Sequence, residues 1–137
     1  MSVFIDANVP MYAGGREHPF REPARRVLAS IPDTIDAVTN VEVFQEILYR
    51  YLAVGERRGG FAVFDGFAGL MTDRVLSVRA DDVLRARDLA ESHPLLETRD
   101  LVHLAVMEHH GIEEILSADR HFDGIPGITR IPLESFA

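Results

Sequence analysis

Five acids in this chain are candidates to act together on one ligand. Two follow directly on short apolar runs: Val3-Phe4-Ile5 leads into Asp6, and Ile115-Leu116-Ser117-Ala118 leads into Asp119. An acid released at the carboxyl end of a parallel strand enters the crevice in which open α/β sheets collect ligands. Taken alone, Asp6 is better read as a helix N-cap. Two strand ends that both finish in Asp favour a shared crevice over two separate caps. Asp123 lies four residues beyond Asp119, just before Gly124. It fits an ordinary loop acid and a more distant metal ligand, reached through water, about equally.

The remaining acids come from helices. Glu42 and Glu46 stand four apart and share a helical face. Thr39-Asn40-Val41-Glu42 has the form of a capping box, which gives Glu42 a local task. Glu46 lies off the apolar stripe of Phe44, Ile47, Leu48 and Tyr51 and has no such task, so it is the better ligand of the two. Asp100 is in the first turn of the most apolar helix. A negative charge is favoured there by the helix dipole, and burial of that helix would press its first turn against the sheet ends. His103, one turn on, reads as a packed histidine or one that supports a ligand. Asn8 and Ser117 stand two residues from Asp6 and Asp119, where they can orient the acids.

Asp6, Glu46, Asp100 and Asp119, with Asp123 in support, could hold one or two divalent ions. Such ions activate water and stabilise an in-line phosphodiester displacement, at a separation of about 3.5–4 Å when two are present. There is no Cys, so oxygen or imidazole must do the holding, which favours Mg²⁺ or Mn²⁺. All 14 basic residues are Arg and the net charge is −8, which argues against a general nucleic-acid coat. Arg16, Arg21, Arg25, Arg26 and the Arg57-Arg58 pair are the expected phosphate contacts. Without Lys, the Schiff-base, P-loop and Lys-dependent phosphoaspartate mechanisms have no candidate residue. That counts against a receiver domain and against a haloacid-dehalogenase-type hydrolase; the latter also expects a second acid where Asn8 stands.

These residues need a scaffold, and the patterning supplies one. Strands are expected at 2–5, 35–38, 75–78, 112–116 and 128–131. Helices are expected at about 10–12, 19–30, from Thr39 to about Gly55, 60–71, 81–92, and from Thr98 to Gly111. This alternation describes one domain over residues 1–137, built around a parallel sheet. No apolar run approaches the ~20 residues of a membrane span, and Asp6 comes too early for a signal peptide, so a cytoplasmic protein is expected.

The chain resembles the PIN-domain ribonucleases, in particular the VapC-type toxins of toxin–antitoxin pairs. The resemblance is carried in order by Val3-Phe4-Ile5-Asp6-Ala7-Asn8-Val9, Val43-Phe44-Gln45-Glu46-Ile47-Leu48, Thr98-Arg99-Asp100 with its helix, and Ile115 through Asp123, ending in Ser-Ala-Asp-x-x-Phe-Asp. It implies a three-layer α/β/α sandwich on a mostly parallel sheet. It also implies one or two Mg²⁺ or Mn²⁺ ions in an acidic pocket and endonucleolytic cleavage of RNA. Asp6, Glu46, Asp100 and Asp119 would then be catalytic metal ligands, with Asp123 supporting them. The partners implied are an RNA substrate, a cognate antitoxin and a second copy of the chain. A PIN-like module without toxin or catalytic activity is the competing reading.

Overall fold

Val3, Phe4 and Ile5 form β1 (Val3–Ile5) at the centre of a five-stranded sheet. Phe4 and Ile5 are completely buried, as an apolar run in a parallel strand covered on both faces should be. The computed structural model describes residues 2–135. The other strands are β2 (Ala37–Asn40), β3 (Val75–Leu76), β4 (Glu114–Leu116) and β5 (Thr129–Ile131). Their order is β3-β2-β1-β4-β5, and every pairing is parallel.

The strand order reverses at β1. From β1 the chain steps outward through α1 (Asn8–Gly14) and α2 (Arg21–Ala29) to β2, then through α3 (Val41–Ala53) and α4 (Arg57–Leu70) to β3. It then returns through α5 (Ala80–Ser92) and α6 (Thr98–His110) to β4 on the other side of β1. Crossovers between parallel strands are right-handed, so reversing direction moves the connecting helices to the opposite face. The result is the expected α/β/α sandwich. The gap between β1 and β4 is the switch point at which such sheets bind ligands.

Local chemistry explains most of the boundaries. α6 is buried from Asp100 to Met107, in keeping with its apolar surface, and ends at Gly111, whose φ of 66° makes the left-handed turn that favours glycine. α4 starts at Arg57, three residues earlier than expected, and carries Gly60 where it crosses α3. A Cβ on Gly60 would sit 2.5 Å from Cβ of Tyr51, so that crossing needs glycine.

The start of α3 corrects the sequence reading. β2 runs two residues further than expected and includes Thr39. Thr39 therefore cannot cap, and its hydroxyl donates across the sheet to the Ile5 carbonyl at 2.9 Å. Asn40 is the cap: its side-chain oxygen accepts from the Val43 amide at 3.1 Å. Glu42 is released from the supposed capping box and pairs with Arg99 at 3.6 Å. Both residues satisfy the same local preference, and the pull of Thr39 into the sheet decides between them.

Candidate active site

The register of β1 on β4 pairs Ile5 with Leu116, so the next residues along, Asp6 and Ser117, meet at the switch point. The Ser117 hydroxyl donates to Asp6 Oδ2 at 2.6 Å, and the Asn8 amide donates to the same oxygen at 3.2 Å. Asp6 Oδ1 accepts from the Ala7 amide at 2.8 Å. Asp6 does not cap α1, which begins without a side-chain cap. Its carboxylate is almost fully buried, and burial raises its pKa, with the Ser117 and Ala7 hydrogen bonds opposing that rise.

Asp119 leaves the end of β4 on a short loop. Its amide donates to the Ser117 hydroxyl at 3.0 Å, and its carboxylate accepts from the His121 amide at 2.9 Å, capping the turn Arg120–Phe122. Phe122 is completely buried and anchors that turn. Glu46 comes from the second turn of α3 and is held by Arg50 at 2.8 Å. Asp100 comes from the first turn of α6 and accepts from the Glu97 amide at 3.3 Å. Burial is the main reason that the Asp100 pKa rises to about 7, with the nearby charges of Asp6 and Asp119 adding to it.

These four acids line one cavity of about 420 Å³ together with Asn8, Met11, Tyr12, Arg50, Tyr51, Val54 and Glu97. The structure thus brings together Asp6, Glu46, Asp100 and Asp119. It does not bring Asp123 there: that carboxylate is exposed and held by Arg130 at 2.8 and 3.3 Å. Arg130 in turn donates to the Ser117 carbonyl at 2.9 Å. Asp123 therefore braces the loop that carries Ser117 and Asp119, and the hydrogen bond from Arg130, aided by its charge, holds the Asp123 pKa below the ordinary carboxylate value.

The expected phosphate contacts fare differently. None of Arg16, Arg21, Arg25, Arg26, Arg57 or Arg58 lines the cavity, whereas Arg50 does. Arg25 is turned onto the Ala13 carbonyl and Arg57 lies over the Phe61 ring. Arg50 and Glu97 were missed, although both could have been found by spacing: Arg50 is four residues after Glu46, and Glu97 three before Asp100. The apolar wall of Met11, Tyr12, Tyr51 and Val54 gave no local signal, because it joins α1 to α3 across the fold.

His103 is completely buried behind Asp6, with its ring 5.0 Å from that of Phe4. Its Nε2 lies 3.7 Å from Asp6 Oδ1 and, among the described residues, makes no hydrogen bond. Burial pushes its pKa down to about 4, so the ring is neutral at physiological pH. A carboxylate oxygen of Asp6, one of Glu46 and a ring nitrogen of His103 lie within 4.8 Å of one another.

A cavity that gathers four acids at the switch point of a parallel sheet lies where such sheets bind their ligands. The PIN-domain family model matches residues 3–128, so the chain belongs to the PIN-domain family. Within that family its relatives are VapC ribonucleases. It is 41% identical over 130 residues to ribonuclease VapC13 of Mycobacterium tuberculosis, covering 94% of this chain and 98% of that protein. It is 39% identical to VapC23 of the same species over 120 residues, covering 85% and 92%. The structure matches that of M. tuberculosis VapC20, a sarcin-ricin loop cleaving toxin, at a TM-score of 0.71 and 22% identity over 93% of this chain and 98% of the other. It matches VapBC2 of Rickettsia felis bound to a promoter DNA fragment at 0.72 and 16% identity, over 96% and 98%.

Proposed function

We propose that this chain is a Mg²⁺- or Mn²⁺-dependent endoribonuclease that serves as the toxin of a toxin–antitoxin pair. The observation that carries the reading is the convergence of Asp6, Glu46, Asp100 and Asp119, from four distant parts of the chain, on one cavity.

The residues fit a divalent ion. Four carboxylates provide the oxygen donors that hard cations prefer. Burial, with the neighbouring acids adding to it, raises the pKa values of Asp6 and Asp100, and a bound cation would favour their ionised forms. One or two ions bound by the four acids would supply charge neutralisation at the scissile phosphate and an acidified water. The protein's part is positioning. Ser117 and Asn8 aim Asp6, and the His121 amide aims Asp119. Arg50, on the cavity wall beside Glu46, is placed to hold a non-bridging phosphate oxygen. Met11, Tyr12, Tyr51 and Val54 form an apolar wall against which an unstacked base can lie.

The chain is proposed to work with a cognate antitoxin and as a homodimer. Solved neighbours that include a toxin–antitoxin complex from Klebsiella pneumoniae and DNA-bound VapBC from Salmonella typhimurium support the first. The exposed Tyr49, Leu52 and Val54 at the end of α3, with Phe61 on α4, are apolar groups suited to a protein partner. No helix among the described residues is long and apolar enough to cross a membrane.

The test is cleavage of an RNA with single-stranded loops by the purified chain. Mg²⁺ or Mn²⁺ should support cutting, EDTA should stop it, and Asp6→Asn or Asp119→Asn should abolish it. Unchanged cleavage by either variant would overturn the site. Expression of the wild type should arrest growth, with relief by the neighbouring antitoxin gene; harmless expression of soluble protein would overturn the toxin role.

A further inference from the structure

The buried His103 ring lies close enough to Asp6 and Glu46 to look like a third ligand. A neutral imidazole ligates a metal through a nitrogen that carries no proton, so its tautomer decides whether it can do so. Asn40 determines that tautomer. Its side-chain oxygen is committed to the Val43 amide at the start of α3, at 3.1 Å. The amide nitrogen is therefore the end that faces His103 Nδ1, also at 3.1 Å. An amide NH₂ can only donate, so Nδ1 must accept and the ring proton sits on Nε2. Turning the Asn40 amide over would set NH₂ against the Val43 N–H and leave a buried backbone donor unpaired, which buried polar groups avoid.

We propose that Asn40 holds His103 as the Nε2–H tautomer, making His103 a positioning residue that offers a hydrogen bond to Asp6 rather than a ligand of the metal. The chain of donors runs from the Val43 amide to Asn40, from Asn40 to His103, and from His103 Nε2 toward Asp6 Oδ1 at 3.7 Å. It ties the starts of α3 and α6 to the end of β1, and it leaves the donor set all oxygen. The unpaired Nε2 is then a donor that lies 3.7 Å from the Asp6 carboxylate.

The inference rests on the metal-centre reading above for its role, but the tautomer can be measured without a metal. Long-range ¹H–¹⁵N correlation on the ¹⁵N-labelled full chain at neutral pH should show His103 protonated at Nε2 and bare at Nδ1; a proton on Nδ1 overturns the proposal. Asn40→Asp preserves the helix cap and replaces the amide donor with an acceptor, so it should move the proton to Nδ1. An unchanged tautomer in that variant would overturn the role of Asn40.

Pulsed EPR of the Mn²⁺-loaded wild type should show no directly bound ¹⁴N, whereas Asn40→Asp should gain it. Directly bound ¹⁴N in the wild type would sink the proposal. His103→Gln, whose amide nitrogen can reach the Nε2 position, should keep Mn²⁺ affinity near the wild type. His103→Leu should weaken it by about 10-fold or more, and wild-type affinity in that variant would overturn the positioning role. Failure of Mn²⁺ to bind the wild type at all would instead overturn the metal-centre reading, and the tautomer measurement would still decide this one.

Discussion

Asp100→Asn should stabilise the metal-free protein while abolishing its activity. The Asp100 pKa is lifted from 3.8 to about 7, mainly by burial. An acid with a raised folded pKa binds more protons in the native state than in the unfolded one, so the stability contribution of this group falls as pH rises from 3.8 and levels off above about 7. A gap of about three units, at about 1.4 kcal/mol per unit, makes the ionised group unfavourable by about 4 kcal/mol. Solvent entering the cavity mouth screens at least half of that, leaving about 2 kcal/mol. Asn carries no charge, and its side-chain oxygen can still accept from the Glu97 amide, as Asp100 does at 3.3 Å. The variant should therefore melt about 7 °C higher than the wild type at pH 8 in EDTA. The advantage should shrink to nothing below pH 4, where wild-type Asp100 is itself neutral. Adding Mn²⁺ should stabilise the wild type more than the variant. An equal gain at pH 4 and pH 8, or a lower melting temperature at pH 8, would refute the electrostatic account of this site.

Three further outcomes follow from the same geometry. Mn²⁺ affinity should rise by up to about tenfold per pH unit below pH 7 and then flatten, because the cation displaces the Asp100 proton; calorimetry in buffers of different ionisation enthalpy would show the released proton, and a flat profile from pH 6 to 8 would contradict it. Ser117→Ala removes the 2.6 Å bond to buried Asp6, and should cost about 2 kcal/mol of stability at pH 8 in a denaturant titration while raising the Asp6 pKa further. Arg50→Ala should weaken RNA binding and make the log K against log salt slope shallower by about 0.7; an unchanged slope would remove Arg50 from the phosphate path.

Much of this protein was legible in the order of its residues. Val3-Phe4-Ile5 before Asp6, and Ile115-Leu116 before Ser117, are apolar runs too short for helices, and each ends in a polar residue at a strand end. The apolar girth of the helix from Thr98 announced its burial, and with it the burial of Asp100. The strand order agrees with the alternation of strands and helices, because right-handed crossovers leave few ways to wind such a chain.

What local pattern could not decide were choices between residues with equal local preferences. Thr39 and Asn40 are both good helix caps, and only the pairing of Thr39 with Ile5 across the sheet makes Asn40 the cap. Asp119 and Asp123 are four apart on one loop, and only the strand position of Arg130 draws Asp123 out of the cavity and into a brace. The pairing of Arg50 with Glu46 is legible as an i, i+4 spacing, but its place on the cavity wall depends on which helix face meets the sheet end. Sequence by itself determined the acids, the strands that release them and the family they belong to, because periodicity and residue type are local properties. Only the tertiary structure decided which acids share the cavity and which nitrogen of His103 faces Asp6, because both depend on hydrogen bonds between elements far apart in the chain.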